Sequence, residues 1–188
     1  MTREDNTHDL RHTPRWYALY TRPRFEKKVD LKLREKGLES YLPLHTVRRR
    51  WSDRWKNVKE PLFSCYVFVR IAQIQRIYAV QTHGVVRLVA FSEGPAPIPD
   101  HEIEAIKRIL EGTDSFETNP YLTIGQMVKV IHGPLEGIQG RLVERRGRKC
   151  LIVGIEQIKQ SISVEIGEHD VQPIENPPKH QSHAIGFQ

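Results

Sequence analysis

The side chains of this chain best equipped for chemistry are cationic and aromatic, and they stand together. Arg48, Arg49 and Arg50 run into Trp51, and Arg54, Trp55 and Lys56 follow the intervening Ser52-Asp53. Guanidinium groups neutralise phosphates, while exposed indole rings stack on bases or sugars. The run therefore suits nucleic-acid binding. A merely solubilising loop is the alternative, and two tryptophans that are costly to expose weigh against it. Catalysis has no comparable support: no Ser/His/Asp set, glycine-rich phosphate loop or paired carboxylate sits in a suitable context. No enzyme activity, cofactor or metal is expected. Of nine histidines, His8, His12, His180 and His183 fall in terminal stretches without ligand partners. Cys65 as a nucleophile would need a basic neighbour or a helix N-terminus, yet its surroundings read as an apolar strand. Cys65 and Cys150 lack metal-ligand spacing, and so low a cysteine count fits a reduced cytoplasm.

Charge is distributed unevenly along the 188 residues, whose net charge is +6. Residues 13–60 hold 14 Lys/Arg against 6 Asp/Glu, whereas residues 92–120 hold 2 against 7. Residues 121–174 are nearly neutral, with 7 against 6. The basic N-terminal stretch implies a polyanionic partner or a solvated face, and charge alone does not separate the two. No apolar run is long enough to cross a membrane, and residues 1–12 lack the apolar core of a secretory signal.

The elements that must carry these residues can be read from periodicity. Trp16–Tyr20 is a short strand, and Pro23 opens a helix with Phe25, Val29 and Leu33 on one side that ends at Gly37. Ser40–Leu42 is a second strand. Thr46–Lys59 reads as an exposed hairpin turning at Ser52-Asp53, with Val47, Arg49 and Trp51 on one face and Arg48 and Arg50 on the other. Leu62–Ile71 is the strongest strand, Gln73–Val80 a short helix, and Val85–Phe91 another strand. This order predicts an antiparallel or mixed sheet with helices on one side, an α+β layer. A further helix follows Pro99, capped by Asp100. The breaker-rich segment 112–120 is the expected linker between a domain at 14–111 and a second at 121–174, each folding by itself. Residues 1–13 and 175–188 are expected to be disordered tails.

The second domain holds five short strand candidates, Met127–Ile131, Arg141–Glu144, Cys150–Ile155, Ser161–Ile166 and Val171–Ile174. Its β-branched residues and recurrent glycines disfavour long helices and predict a small closed barrel. Gly133, Pro134, Gly137 and Gly140 punctuate its first connection, in the pattern Val-x-Val-x-x-Gly-Pro-x-x-Gly-x-x-Gly-x-x-Val over residues 128–143. That pattern resembles the KOW motif. Arg15–Tyr20, Pro61–Val69, Gly84–Val89 and Pro95–Ile103 are similar, in order, to blocks of the NusG N-terminal domain. The chain is thus identified as a member of the NusG family over roughly residues 14–174. The run Tyr20–Lys28 and the Arg48–Arg54 hairpin resemble the specialised paralogues of the UpxY and RfaH type.

The resemblance implies an α+β fold: an N-terminal α/β sandwich, with helices flanking an antiparallel sheet, followed by a small SH3-like KOW β-barrel. It implies a non-enzymatic transcription elongation factor that promotes processive elongation or antitermination. Its N-terminal domain would bind the clamp helices of RNA polymerase and approach upstream or nontemplate DNA. The barrel would recruit a second partner, a small-subunit ribosomal protein or a termination factor. By motif position Trp16, Phe63 and Tyr66 are the polymerase-binding candidates, His83 stands near nontemplate DNA with the arginine hairpin, and Leu135 faces the barrel's partner. Ser64-Cys65 replaces the family's usual Pro-Gly, which predicts a shallower bend before Tyr66. A KOW-containing RNA-binding or ribosome-associated protein is the alternative; it calls for a basic barrel, and this one is nearly neutral.

Overall fold

The structure, a computed structural model, describes residues 11–51, 54–92, 94–113, 115–120, 125–145 and 147–174. The N-terminal part runs β1 (Arg15–Thr21), α1 (Glu26–Glu35), β2 (Glu39–Tyr41), β3 (Leu44–Trp51), β4 (Arg54–Pro61), β5 (Tyr66–Ile71), α2 (Arg76–Val80), β6 (Val85–Leu88), β7 (Ala90–Phe91), β8 (Gly94–Pro95) and α3 (Asp100–Gly112). One antiparallel sheet forms in the order β2-β5-β1-β6. Successive side chains of a strand point to opposite faces, so Trp16 and Ala18 lie on one face and Tyr17 and Leu19 on the other. All four are buried. Val29 and Leu33 of α1 and Ala79 of α2 cluster with Tyr17, Leu19, Val67, Val69 and Ile71. Ile103, Ile106 and Ile109 of α3 cluster with Trp16, Ala18 and Phe68. Helices therefore cover both faces rather than one, because β1 and β5 are apolar on both.

Local departures from the sequence reading have physical causes. β5 begins at Tyr66 rather than Leu62, since Cys65 takes a left-handed conformation (φ 67°) that no strand continues through. Pro99, not Asp100, is the N-cap of α3, and the Asp100 carboxylate instead lies 3.6 Å from Arg70. β3 and β4 make the expected hairpin, a separate two-stranded ladder from Leu44↔Pro61 to Trp51↔Arg54. Its Ser52-Asp53 turn lies outside the described residues.

The C-terminal part comprises β9 (Glu117–Pro120), β10 (Gln126–Val130), β11 (Gln139–Arg145), β12 (Arg148–Ile155), β13 (Gln160–Glu165) and β14 (Val171–Pro173). They form an antiparallel sheet in the order β14-β10-β11-β12-β13-β9, and among the described residues this part holds no α-helix. Part of the expected linker is therefore a strand, β9, laid along β13 from Glu117↔Ser163 to Pro120↔Gln160. Its polar residues hid this: an edge strand is held by backbone bonds and does not need an apolar pattern. Gly137 turns the β10–β11 connection at φ 87°, its N–H donating to Val130 O at 2.8 Å. Gly140 is needed for room, since a Cβ there would stand 2.5 Å from the Ile152 carbonyl oxygen.

The two parts, expected to fold separately, meet along α3. Ile103, Ile106 and Ile109 share one apolar cluster with Leu135, Ile138, Leu151 and Val153. Arg108 Nη2 donates to the carbonyls of Glu136 (2.6 Å) and Pro134 (3.4 Å), and Gln157 Nε2 donates to Pro97 O at 2.8 Å. Residues 1–10 and 175–188 of the expected tails lie outside the described residues, while residues 11 and 12 are helical. No helix among the described residues is long and apolar enough to cross a membrane.

Candidate functional site

Two surfaces gather the residues singled out by sequence. The first is aromatic. β1 and β5 pair Trp16 with Arg70 and Tyr20 with Tyr66, and Phe63, in the turn between β4 and β5, joins the apolar cluster of Trp16 and Phe68. Trp16 and Phe63 are 3 % and 1 % exposed, and the Phe63 ring meets Phe68 edge-on at 6.2 Å. Tyr66 packs against the same cluster while remaining partly exposed, 5.5 Å from the Tyr20 ring. Burial pushes the Tyr66 hydroxyl pKa up, and neighbouring Tyr20 adds to this, while Arg87 opposes it. Arg87 lies over the Tyr20 ring at 5.5 Å. Lys107 of α3 stands over the rings of Trp16 and Tyr41 at 5.4 and 5.3 Å. The three polymerase-binding candidates share one apolar cluster, although Trp16 and Tyr66 lie toward opposite ends of the β1–β5 ladder, and only Tyr66 is partly exposed.

The bend before Tyr66 is not shallower. Cys65 keeps a glycine-like conformation at a cost of roughly 1–2 kcal/mol for a residue with a Cβ. Two hydrogen bonds hold it: its N–H donates to Glu26 Oε1 at 2.7 Å, and its carbonyl accepts from Thr21 N at 2.8 Å. Burial, and secondarily the Glu26 carboxylate, push its thiol pKa up. That is the reverse of an activated nucleophile.

The second surface is basic. Arg48, Arg49, Arg50 and Arg54 are all exposed on the β3–β4 hairpin. Arg49 forks onto Glu60, with Nε–Oε1 at 2.9 Å and Nη2–Oε2 at 2.8 Å. This bidentate bond holds the Glu60 carboxyl below its ordinary range and raises the arginine's own pKa. Arg48 lies 5.0 Å over the ring of Trp55, which is 57 % exposed. Trp51 pairs with Arg54 in the ladder, and its side chain lies outside the described residues. The hairpin is fastened to α1 where Lys27 Nζ donates to Lys59 O at 2.6 Å. His83, exposed on the α2–β6 turn, meets the Phe25 ring at 5.5 Å in a tilted arrangement, and Lys28 stands over the same ring at 5.4 Å. His83 and Lys28 therefore share the Phe25 ring at the start of α1, apart from the hairpin arginines in sequence.

Leu135 does not face outward. It is 7 % exposed, and a Cβ on Gly112 would lie 3.3 Å from its Cδ2, so the end of α3 covers it. The sequence reading missed the groups along this contact. Glu102 Oε2 is buried without a hydrogen-bond partner, and burial, with the Glu156 charge adding, pushes its carboxyl pKa up to about 7. A charged residue in the first turn of an amphipathic helix gave no signal of it, because the covering surface comes from a distant segment.

The family model described as "Transcription termination factor nusG" matches residues 14–107, half of the chain. The chain belongs to the NusG family. Among NusG relatives, the transcription termination/antitermination protein NusG of Lactococcus lactis subsp. lactis (strain IL1403) is 25% identical over 175 residues, covering 85% of this chain and 93% of its own. The NusG of Streptococcus pyogenes serotype M1 is 29% identical over 154 residues, covering 73% and 84%. The NusG of Vibrio vulnificus (strain CMCP6) is 26% identical over 166 residues, covering 81% and 86%. A solved structure described as domain interaction in Thermotoga maritima NusG superimposes with a TM-score of 0.49 at 24% identity, over 86% of this chain and 98% of that one.

Proposed function

We propose that this NusG-family chain is a transcription elongation and antitermination factor, a specialised paralogue of the UpxY and RfaH type, and not an enzyme. In this reading its N-terminal sandwich binds the clamp helices of RNA polymerase beside Trp16, Phe63 and Tyr66, and its basic hairpin lies near upstream or nontemplate DNA. The C-terminal sheet is a KOW barrel that recruits a small-subunit ribosomal protein or a termination factor, with Leu135 engaged once α3 yields. The observation that carries the reading is the family match over residues 14–107, the stretch that holds both the aromatic cluster and the basic hairpin. Aromatic side chains at a surface suit protein contact, and clustered arginines suit phosphate.

The test separates the two. Tyr66→Ala removes a partly exposed ring and should weaken binding to purified core polymerase without nucleic acid at every salt concentration. Arg48→Ala with Arg50→Ala should leave that binding intact and weaken engagement of a polymerase complex that contains DNA. Equal loss of free-polymerase binding in both variants would make the hairpin a protein-contact element.

A further inference from the structure

The β3–β4 register sorts the hairpin into two chemically different faces. Residues paired directly across an antiparallel ladder share a face, and the face alternates along each strand. Thr46↔Lys59, Arg48↔Asn57 and Arg50↔Trp55 therefore form one face, and His45↔Glu60, Val47↔Val58 and Arg49↔Lys56 form the other. All six residues of the first face are exposed. On the second, His45, Val47, Val58 and Glu60 are partly buried, the His45 ring meets Phe116 at 5.8 Å, and Glu60 neutralises Arg49. One face turns to the protein body; the other turns away from it with three cations, an amide, an open indole and no acidic side chain.

The geometry points to the Arg48–Arg50–Trp55–Lys59 face as a binding site for a single polynucleotide strand, with an unpaired base stacked on Trp55 and phosphates along the arginines. Same-face residues on one strand stand about 7 Å apart, a spacing comparable to the repeat of an extended polynucleotide backbone. Arg48 covers one side of the Trp55 ring at 5.0 Å and leaves the ring 57 % exposed, so a base can complete a cation–indole–base stack. A duplex keeps its bases stacked inside and has none to offer Trp55. Arg49 belongs to the other face, where its fork to Glu60 neutralises its charge and leaves it no part in the strand site. The inference deepens the proposed function only by assigning one face of its nucleic-acid element, and it is tested without polymerase.

The test is fluorescence anisotropy of labelled DNA and RNA 12-mers and of a DNA duplex with the full chain over a salt series. Single strands, DNA or RNA, should bind more tightly than the duplex, and the tighter of the two identifies the strand. Trp55→Ala should weaken single-strand binding roughly 5- to 100-fold with the salt slope unchanged, and Trp55→Phe should restore most of it. Arg48→Ala with Arg50→Ala should lower the slope by about 1.4, because two phosphates are no longer neutralised. Arg49→Ala with Glu60→Ala, which deletes the ion pair as a unit, should stay within about twofold of the parent. The inference is overturned if Trp55→Ala binds like the parent, if the duplex binds as tightly as either strand, or if the Arg49/Glu60 variant loses as much as the Arg48/Arg50 variant. Circular dichroism of each variant keeps misfolding apart from these outcomes, since Trp55 and both arginines are exposed.

Discussion

Replacing Glu102 with Gln should change how the stability of this protein depends on pH. The Glu102 carboxyl is buried where α3 meets the C-terminal sheet, its Oε2 lacks a hydrogen-bond partner, and Glu156 adds negative charge. Its pKa rises from an ordinary 4.5 to about 7. The folded chain then holds this proton more tightly than the unfolded chain does. The resulting stability is fully present below pH 4.5 and is lost as pH rises through about 7. At 1.36 kcal/mol per pKa unit the loss is on the order of 3 kcal/mol, nearly complete by pH 8. A glutamine is neutral throughout, so urea denaturation at pH 5 and pH 8 should show the parent losing about that much relative to Glu102→Gln. Other titrating groups affect both proteins alike and cancel in the difference. Parallel pH–stability curves for the two proteins would refute the reasoning, because Glu102 would then be solvated in the folded chain.

Phe63→Ala should cost about 3–5 kcal/mol of folding stability, as for other fully buried phenylalanines, so thermal denaturation must precede any binding comparison with that variant. Cys65→Gly should retain the parent's stability within about 1 kcal/mol, the relief at φ 67° offsetting the lost side chain, whereas the β-branched Cys65→Val should lower the melting temperature clearly. At neutral pH the Cys65 thiol should react with iodoacetamide more slowly than a free cysteine, as its raised pKa requires; faster labelling would contradict its assigned surroundings. Gly140→Ala should destabilise by about 1–3 kcal/mol in chemical denaturation, because its Cβ would press on the backbone oxygen of Ile152 rather than on a flexible side chain.

Much of the secondary structure was legible because strands and helices imprint their own periods. Ile162 and Val164 alternate on β13, Val29 and Leu33 repeat on α1, and the glycines of the 133–140 connection mark where a Cβ has no room or the wrong φ. The hairpin and the division of Arg48 and Arg50 from Arg49 could likewise be read from alternation, and the ladder bears them out. What periodicity cannot tell is which apolar face another element covers. Phe63 and Leu135 have the composition of contact residues, yet α3, a helix far from either in sequence, lies against the clusters that bury both. Cys65 shows a different limit. Its residue type argues against a left-handed bend, but the tertiary bonds from Glu26 and Thr21 impose one. Trp55 and Lys59 share a face with Arg48 and Arg50 through the cross-strand register, which alternation within one strand does not specify.

In the proposed function everything else depends on attachment to RNA polymerase. Size-exclusion chromatography of the full chain with a reconstituted elongation complex, and separately with the same nucleic-acid scaffold lacking polymerase, tests it most directly. Stoichiometric co-elution with the polymerase complex is expected, persisting at a salt concentration where binding to the bare scaffold is lost. Co-elution with the scaffold alone, and none with polymerase once salt has screened the phosphates, would contradict it.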